Sequence, residues 1–302
     1  SLTLGEVKKT VDTLHAHGLL SVILIGGGEP TLHKDFEKII RYIKSKNLQI
    51  GIATNGTRLE RIETVVDTLK EKDWIRISID AGDEGTFKKL HHPKKEVTLI
   101  GILEKAKRLK EKNSAVSLGY SFVIVWEGME IHGKRLTPNI HEIVRSVELA
   151  RDFSFDYVSF KPCLIRMEES HRETLLKDVD RTKEKEIIDA IRIPLEEAKC
   201  SAGGQIKILE SSNLKAMLQQ EADQIKRQPK RCHMQFFRTV VSPFGIFHCP
   251  AFRGVEEAKI GAPDGYLSPQ KFKESLKKTA QSILTFDAEE ECKDVGCFYH
   301  HT

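Results

Sequence analysis

The feature that most limits the fold of this chain is a regular alternation of predicted strands and helices over its first half. Between the strands, apolar residues recur at helical spacing. The predicted strands span residues 21–25, 48–54, 74–80, 116–125 and 157–164. Such alternation is typical of parallel strands joined by right-handed crossovers, and the continuous apolar runs are typical of buried parallel strands.

The first predicted element is a helix over residues 4–17. Thr3 and Glu6 form a capping-box pattern, and Val7, Val11 and Leu14 supply its apolar stripe. A strand should precede this helix, and the chain begins with Ser1 in place of Met, so we expect that the sequence is cut before its first strand.

With that strand counted, the series gives six βα units. We therefore predict an α/β fold built on a partial (β/α)6 barrel of the TIM type, with residues 205–209 as a candidate for one further strand. An open doubly wound sheet fits the same alternation and is the alternative. In both folds, ligands bind at the carboxyl ends of the strands.

The sequence changes character twice after the alternating part. We predict the partial barrel over residues 1–165, a charged helical continuation over 166–230, and a small α+β cysteine-rich domain over 231–302. In the last segment, residues 239–242 and 246–249 flank Pro243-Phe244-Gly245, a pattern that predicts a β-hairpin.

Three predicted strands end in polar or glycine-rich motifs. They are Gly26-Gly27-Gly28-Glu29-Pro30, Thr54-Asn55-Gly56 and Ser78-Ile79-Asp80. Each motif alone is common turn or helix-cap chemistry. On successive parallel strands they should meet at one edge of the sheet. There, the glycine edge and Glu29 suit an ammonium group, and Ser78 and Asp80 suit ribose hydroxyls.

These motifs, "GGGEP", "TNG" and "SIDAG", resemble the core of radical S-adenosylmethionine (radical SAM) enzymes. The resemblance implies that Gly27, Gly28, Glu29 and Pro30 bind the methionine part of S-adenosylmethionine. It implies that Ser78 and Asp80 contact the ribose and that Asn55 lies near the site. The implied reaction is reductive cleavage of S-adenosylmethionine by a [4Fe–4S] cluster. The resulting 5′-deoxyadenosyl radical then takes a hydrogen atom from a substrate.

The chain departs from this family in lacking the C-x3-C-x2-C motif that holds the reactive cluster. A first strand and cluster loop located before Ser1 would explain the departure. The alternative is a degenerate, non-catalytic S-adenosylmethionine-binding or scaffold protein with a structural metal in its tail. A third hypothesis is an ordinary barrel enzyme that uses Lys161 to form a Schiff base.

Six cysteines are present, and the sequence shows no secretion signal, which favours metal binding over disulfides. Cys163 and Cys200 are expected to be buried apolar residues. The late cysteines, Cys232, Cys249, Cys292 and Cys297, suit zinc or an iron–sulfur cluster. The stretch "CHMQFFRTVVSPFGIFHC" resembles the opening of the SPASM or twitch auxiliary-cluster domains of radical SAM enzymes. That resemblance implies an auxiliary [4Fe–4S] cluster on these four residues.

Composition restricts the partners. The net charge of +4 is too weak to indicate nucleic acid, and the sequence has no apolar run long enough to span a membrane, so we expect a cytoplasmic protein. The radical SAM resemblance implies a small-molecule or peptide substrate and a reductant such as flavodoxin or ferredoxin.

Overall fold

The computed structural model describes residues 1–94, 96–131, 133–166, 173–175, 181–221 and 227–292. These residues form two compact units. The sheet unit comprises Leu20–Cys163 and Asp178–Leu218. The hairpin unit comprises Ser1–Leu19, Leu164–Lys177 and Gln219–Thr302.

A six-stranded parallel sheet forms the centre of the sheet unit. Its strands are β1 Ser21–Leu24, β2 Gln49–Thr54, β3 Trp74–Ser78, β4 Ser117–Ile124, β5 Tyr157–Pro162 and β6 Lys207–Glu210. Each strand pairs with the next in chain order, and all pairs are parallel. The predicted α/β class is confirmed, and the candidate strand at 205–209 is the sixth strand. A doubly wound sheet requires a reversal of strand order, which this described sheet does not have.

The described residues form ten α-helices. They are α1 Leu4–His15, α2 Phe36–Ser45, α3 Leu59–Glu63, α4 Glu84–His91, α5 Leu99–Lys112, α6 Ile143–Asp152, α7 Arg181–Ala202, α8 Ser212–Leu218, α9 Pro269–Thr285 and α10 Ala288–Glu291. Short 3-10 helices span Pro30–Leu32, Val66–Thr68, Ile140–Glu142, His233–Phe236 and Glu256–Ala258. α3 ends at Glu63 and is followed by the separate 3-10 turn at Val66–Thr68, because the β-branched run Thr64-Val65-Val66 disfavours a continuous helix.

The two faces of the sheet differ in chemistry. Ile75 and Ile77 of β3, and Tyr120 and Phe122 of β4, are fully buried on one face. Because side chains alternate along a strand, Arg76 and its alternate neighbours point to the opposite face, which is polar and partly open. We call that opposite face the polar face.

In the hairpin unit, a three-stranded antiparallel sheet is formed by β7 Val240–Ser242, β8 Gly245–Phe247 and β9 Lys259–Gly261. The predicted hairpin is therefore present. Gly245 has φ of +147°, a backbone conformation in which a side chain would be strained.

Two short antiparallel strand pairs lie outside these sheets. Glu130–Ile131 pairs with Lys134–Arg135, and Ile165–Arg166 pairs with Glu173–Thr174.

The first helix, which the sequence places in the predicted segment 1–165, groups with the hairpin unit. There, Leu14 packs on the cluster of Ile246, Ile260, Tyr266 and Phe272. This grouping arises from long-range packing that local sequence patterns do not record. The candidate strand at 205–209, which lies in the predicted segment 166–230, pairs with β5 in the central sheet.

None of the helices in the described ranges is long and apolar enough to cross a membrane.

Candidate functional site

The backbone that follows β1 is exposed and bare. Gly26, Gly27 and Gly28 are all exposed. A Cβ atom on Gly26 would lie 2.3 Å from the carbonyl oxygen of Gly28, so this tight turn requires glycine there. A Cβ on Gly27 or Gly28 would meet no atom within 4 Å. These two glycines therefore leave open space in which a ligand can approach the backbone.

Glu29 joins this turn to the end of β2. Its Oε1 accepts hydrogen bonds from the Thr31 amide at 3.0 Å, the Thr31 hydroxyl at 2.7 Å and the Thr54 hydroxyl at 2.8 Å. Its Oε2 accepts from the Asn55 amide at 2.7 Å. Pro30 begins the 3-10 helix that Glu29 caps. The Glu29 carboxylate is thus used to fix two strand ends, and the exposed backbone is left to contact a ligand.

The turn after β2 is held by its own side chains. Asn55 Oδ1 accepts from the amide and the hydroxyl of Thr57, at 3.0 and 2.8 Å. Gly56 has φ of +78°, and a Cβ there would lie within 3 Å of Ile77 and Ile102. Both the backbone conformation and the packing therefore require glycine at this position.

At the end of β3, Ser78 and Asp80 have different surroundings. The half-buried Ser78 hydroxyl has no hydrogen-bond partner among the described residues. Asp80, with φ of +55°, accepts from the Val123 amide at 2.7 Å and lies 3.2 Å from Nε2 of His91. Ser78 is therefore free to bind a ligand, whereas Asp80 braces the end of β3 against β4.

These three strand ends follow neighbouring strands, so the sheet brings them to one edge, as the sequence predicts. At this edge, the backbone of Gly27 and Gly28 is exposed and the Ser78 hydroxyl has no partner among the described residues. The hydrogen bonds of Glu29 hold the turns after β1 and β2 together. Such a set can bind an elongated ligand with an ammonium group at one end and hydroxyls at the other.

Sequence reasoning missed several side chains on the polar face. Arg76, Ser121 and Ser159 point to the same face as Ser78 and Lys161. The signal for them is in "WIRISI", where polar and apolar residues alternate, in contrast to the continuous apolar run expected of a buried parallel strand.

Lys161 is half-buried on this face and has no ion-pair partner in the described part of the chain. Its pKa is lowered to about 8, mainly by burial and also by the nearby Arg76 guanidinium, while Asp80 opposes the shift. At neutral pH, Lys161 is therefore still positively charged, and it forms no ion pair with a carboxylate of the described residues.

A second polar network, also missed, lies behind α4. The buried Glu142 accepts a hydrogen bond from the Gly82 amide at 2.5 Å and one from the Thr86 hydroxyl. Burial raises the pKa of Glu142, and a hydrogen bond from Glu142 lowers the pKa of Asp83. Ligand-type atoms of Asp83, His141 and Glu142 lie within 4.8 Å of one another. Because Asp83 caps α4 and Glu142 binds loop amides, the network has a structural explanation.

Three of the four predicted metal-binding cysteines converge. Cys292 is buried in the apolar cluster of Phe247, Phe252, Ala258 and Ala288, and the half-buried Cys232 and Cys249 pack against the same cluster. Burial raises the pKa of Cys232, and the neighbouring Cys249 raises it further. The fourth, Cys297, lies outside the described residues.

The other two cysteines have separate surroundings. Cys163 is buried as expected, and burial raises its pKa to about 11. Cys200, expected to be buried, is exposed because its position on α7 points away from that helix's apolar stripe.

Several known proteins are similar in sequence to part of this chain. An S-adenosylmethionine-dependent nucleotide dehydratase from Selenomonas ruminantium is 37% identical over 81 residues, which cover 26% of this chain and 30% of that protein. A probable GTP 3′,8-cyclase from Pyrococcus abyssi is 30% identical over 165 residues, 52% of this chain and 53% of that protein. The chain thus spans about half or less of these relatives.

Solved structures extend the likeness in fold to nearly the whole chain. Streptococcus suis SuiB bound to the precursor peptide SuiA has a TM-score of 0.66 at 14% identity, covering 98% of this chain and 63% of that one. Native anSMEcpe with bound AdoMet and Kp18Cys peptide has a TM-score of 0.58 at 16% identity, covering 99% of this chain and 79% of that one.

The sequence also matches a family domain directly. The domain described as the Radical SAM superfamily matches residues 1–179, and this region contains all three strand-end motifs. Since the match covers more than half of the 302 residues, the chain belongs to the Radical SAM superfamily.

Proposed function

We propose that this chain carries the S-adenosylmethionine-binding part of a radical SAM enzyme that takes a hydrogen atom from its substrate. The observation that carries the proposal is the exposed backbone at Gly27 and Gly28, held by Glu29 on the same sheet edge as the free Ser78 hydroxyl. Superfamily membership supports this reading of the edge.

The residues of the edge fit S-adenosylmethionine. In the proposed complex, backbone groups of Gly27, Gly28, Glu29 and Pro30 bind the methionine ammonium, because the Glu29 carboxylate is already bonded within the protein. Ser78 donates to or accepts from the ribose hydroxyls, and Asn55 borders the ligand through its backbone. Asp80 keeps the turn after β3 in its left-handed conformation.

When bound, a reduced [4Fe–4S] cluster supplies the electron that cleaves S-adenosylmethionine and yields the hydrogen-abstracting radical. No three of the six cysteines in this sequence have the C-x3-C-x2-C spacing. The proposal therefore requires the ligands of that cluster to come from outside residues 1–302. It also requires an electron donor such as flavodoxin or ferredoxin, and these reducing conditions fit the cytoplasm.

We also propose an auxiliary [4Fe–4S] cluster on Cys232, Cys249, Cys292 and Cys297, in a domain of the SPASM or twitch type. Its support is the meeting of the first three cysteines at one apolar cluster. Thiolates in a largely dry, apolar setting are the usual ligands of such clusters.

Binding of S-adenosylmethionine tests the main proposal. We expect saturable binding of S-adenosylmethionine by the chain in calorimetry, and at least tenfold weaker binding by Gly27→Ala, since the added methyl group fills the open approach. Gly5→Ala is the matched control, because a Cβ at Gly5 in α1 meets no atom closer than 4.0 Å. Equal binding by Gly27→Ala and the wild type would contradict the proposed site.

Turnover tests the reaction itself. The full-length protein, reconstituted anaerobically with iron and sulfide and given S-adenosylmethionine, should release 5′-deoxyadenosine when reduced with dithionite.

The absence of the C-x3-C-x2-C motif favours a second candidate function, that of a non-catalytic binding protein with a structural metal. That candidate predicts zinc without iron and no 5′-deoxyadenosine.

A further inference from the structure

Two hydroxyl groups of the polar face lie side by side without hydrogen-bond partners. Ser121 of β4 is in direct register with Ser159 of β5, so both side chains lie on the polar face at the same level. Ser121 is 4% exposed and Ser159 is 8% exposed. Neither hydroxyl bonds to another group in the part of the chain that the structure describes. Neither hydroxyl oxygen is among the fully enclosed polar atoms that lack a partner, so both remain accessible to a ligand.

Two cations flank this serine pair. Arg76 of β3 is in register with Gly119, two residues before Ser121 on β4. Lys161 of β5 is in register with Val123, two residues after Ser121. The Tyr157 ring lies over Gly119, beside Arg76, and covers that part of β4. The part of β4 that remains between the two cations is at Ser121, whose side chain is small.

Neither cation has a partner of opposite charge among the residues that the structure describes. Arg76 contacts the Trp74 ring, 5.4 Å from its centroid, and makes no hydrogen bond or ion pair within the described residues. Asp80, whose charge acts on Lys161, accepts the Val123 amide and faces His91. Half-buried charges without partners are costly, which indicates that a ligand supplies the missing negative charge.

We propose that Arg76, Ser121, Ser159 and Lys161 form a subsite for a phosphate group of the substrate. The proposal rests on the proposed function, whose substrate it assigns to the phosphorylated class. Two positive charges match a phosphate monoester, which carries nearly two negative charges at neutral pH, better than a single carboxylate. The guanidinium fork and the two hydroxyls suit the several oxygens of a phosphate.

In strand order, the carboxylate of S-adenosylmethionine lies away from Lys161. In the proposed complex the methionine ammonium lies at the end of β1. Its carboxylate, attached to the same carbon, lies within about 4 Å of it. Lys161 lies on β5, four strand spacings along the sheet, and each spacing is about 4.8 Å.

Inorganic phosphate is the probe for the test, applied to the full-length protein at constant ionic strength. We expect phosphate to raise the thermal midpoint saturably and acetate to act at least about tenfold more weakly. Arg76→Gln and Lys161→Gln should each weaken the apparent phosphate affinity by at least about tenfold, since each removes a charge-assisted contact. Arg108→Gln and Lys107→Gln are matched controls, because both residues are exposed on α5.

The outcomes separate the two proposals. No saturable effect of phosphate, equal loss in the α5 controls, acetate as effective as phosphate, or competition between phosphate and S-adenosylmethionine would each overturn the subsite. Binding of S-adenosylmethionine is measured separately on the same samples. If it is absent while phosphate binding persists, the proposed function fails and the subsite stands. If it persists in Arg76→Gln while phosphate binding is lost, both proposals are supported.

Discussion

Glu29 accepts the backbone amide of Asn55 at 2.7 Å, and this hydrogen bond ties the turn after β1 to the turn after β2. The other carboxylate oxygen of Glu29 accepts the amide of Thr31 at 3.0 Å. The backbone amides of Thr31 and Asn55, one beside each strand end, thus donate to different oxygens of the Glu29 side chain. The sheet edge at which we place S-adenosylmethionine depends on this carboxylate for its shape.

Glu29→Gln should destabilise the chain. A glutamine has one carbonyl oxygen, so in either amide orientation it leaves the Thr31 or the Asn55 amide without its acceptor. We expect a loss of about 1–3 kcal/mol in the free energy of unfolding, measured by urea denaturation, together with weaker S-adenosylmethionine binding. Glu148→Gln is the control, because Glu148 forms an exposed ion pair with Arg145 and should cost well under about 1 kcal/mol. Equal stability of the two variants would contradict the bracing role.

Ser78→Ala should affect binding and leave stability unchanged. The Ser78 hydroxyl has no partner in the described residues, so its removal breaks no hydrogen bond within them. Loss of one contact with the ribose should weaken S-adenosylmethionine binding by about 0.5–1.5 kcal/mol, or roughly two- to tenfold. Calorimetric titration and a urea curve measure the two effects. Unchanged affinity in Ser78→Ala would remove this residue from the proposed site.

Lys161 should make the unliganded protein more stable at alkaline pH. Its pKa is lowered from an unfolded value near 10.5 to about 8, through burial and the charge of Arg76, with Asp80 opposing. Between these values the unfolded chain binds one proton more than the folded chain, so the free energy of unfolding rises with pH across this interval. The expected gain is on the order of 1–3 kcal/mol.

Lys161→Met provides the comparison for this prediction. It should be more stable than the wild type at pH 7, because it removes a half-buried charge without a partner, and the difference should shrink as the pH rises from 8 toward 10. Parallel urea curves at several pH values measure this difference. A wild type and variant with the same pH dependence would show that Lys161 is not the titrating group.

Cys249→Ser should lower the iron content of the reconstituted chain. Cys249 packs with Cys232 and Cys292 on one apolar cluster, and loss of one ligand weakens an iron–sulfur site. Iron and sulfide analysis, together with the visible absorption spectrum, measures the loss. Cys200→Ser is the control, because Cys200 is exposed on α7, in the other unit, and should retain full iron. Equal iron in the two variants would mean that Cys249 is not a ligand.

Much of the fold could be predicted from local patterns. The apolar runs that form β1 to β5, the stretch that forms β6, the hairpin around Gly245 and the capping box of α1 are all recorded in neighbouring residues. The glycine, asparagine and serine motifs at the strand ends were also visible. A parallel sheet brings the carboxyl ends of its strands to one edge, so strand order alone placed these motifs together.

The tertiary structure decided which groups are free to bind a ligand. Glu29 and Asp80 both suggest ligand binding in the sequence, yet their carboxylates are bonded to Asn55 and Val123, which are far from them in the chain. Arg76 and Lys161 share one face because β3 and β5 both pair with β4, and the three late cysteines meet through packing of the hairpin unit.

The sequence by itself therefore determined the elements and their ends, since these depend on short-range periodicity and turn chemistry. Which polar groups are satisfied and which remain available depended on contacts between distant residues, which exist only when the register of the sheet is fixed.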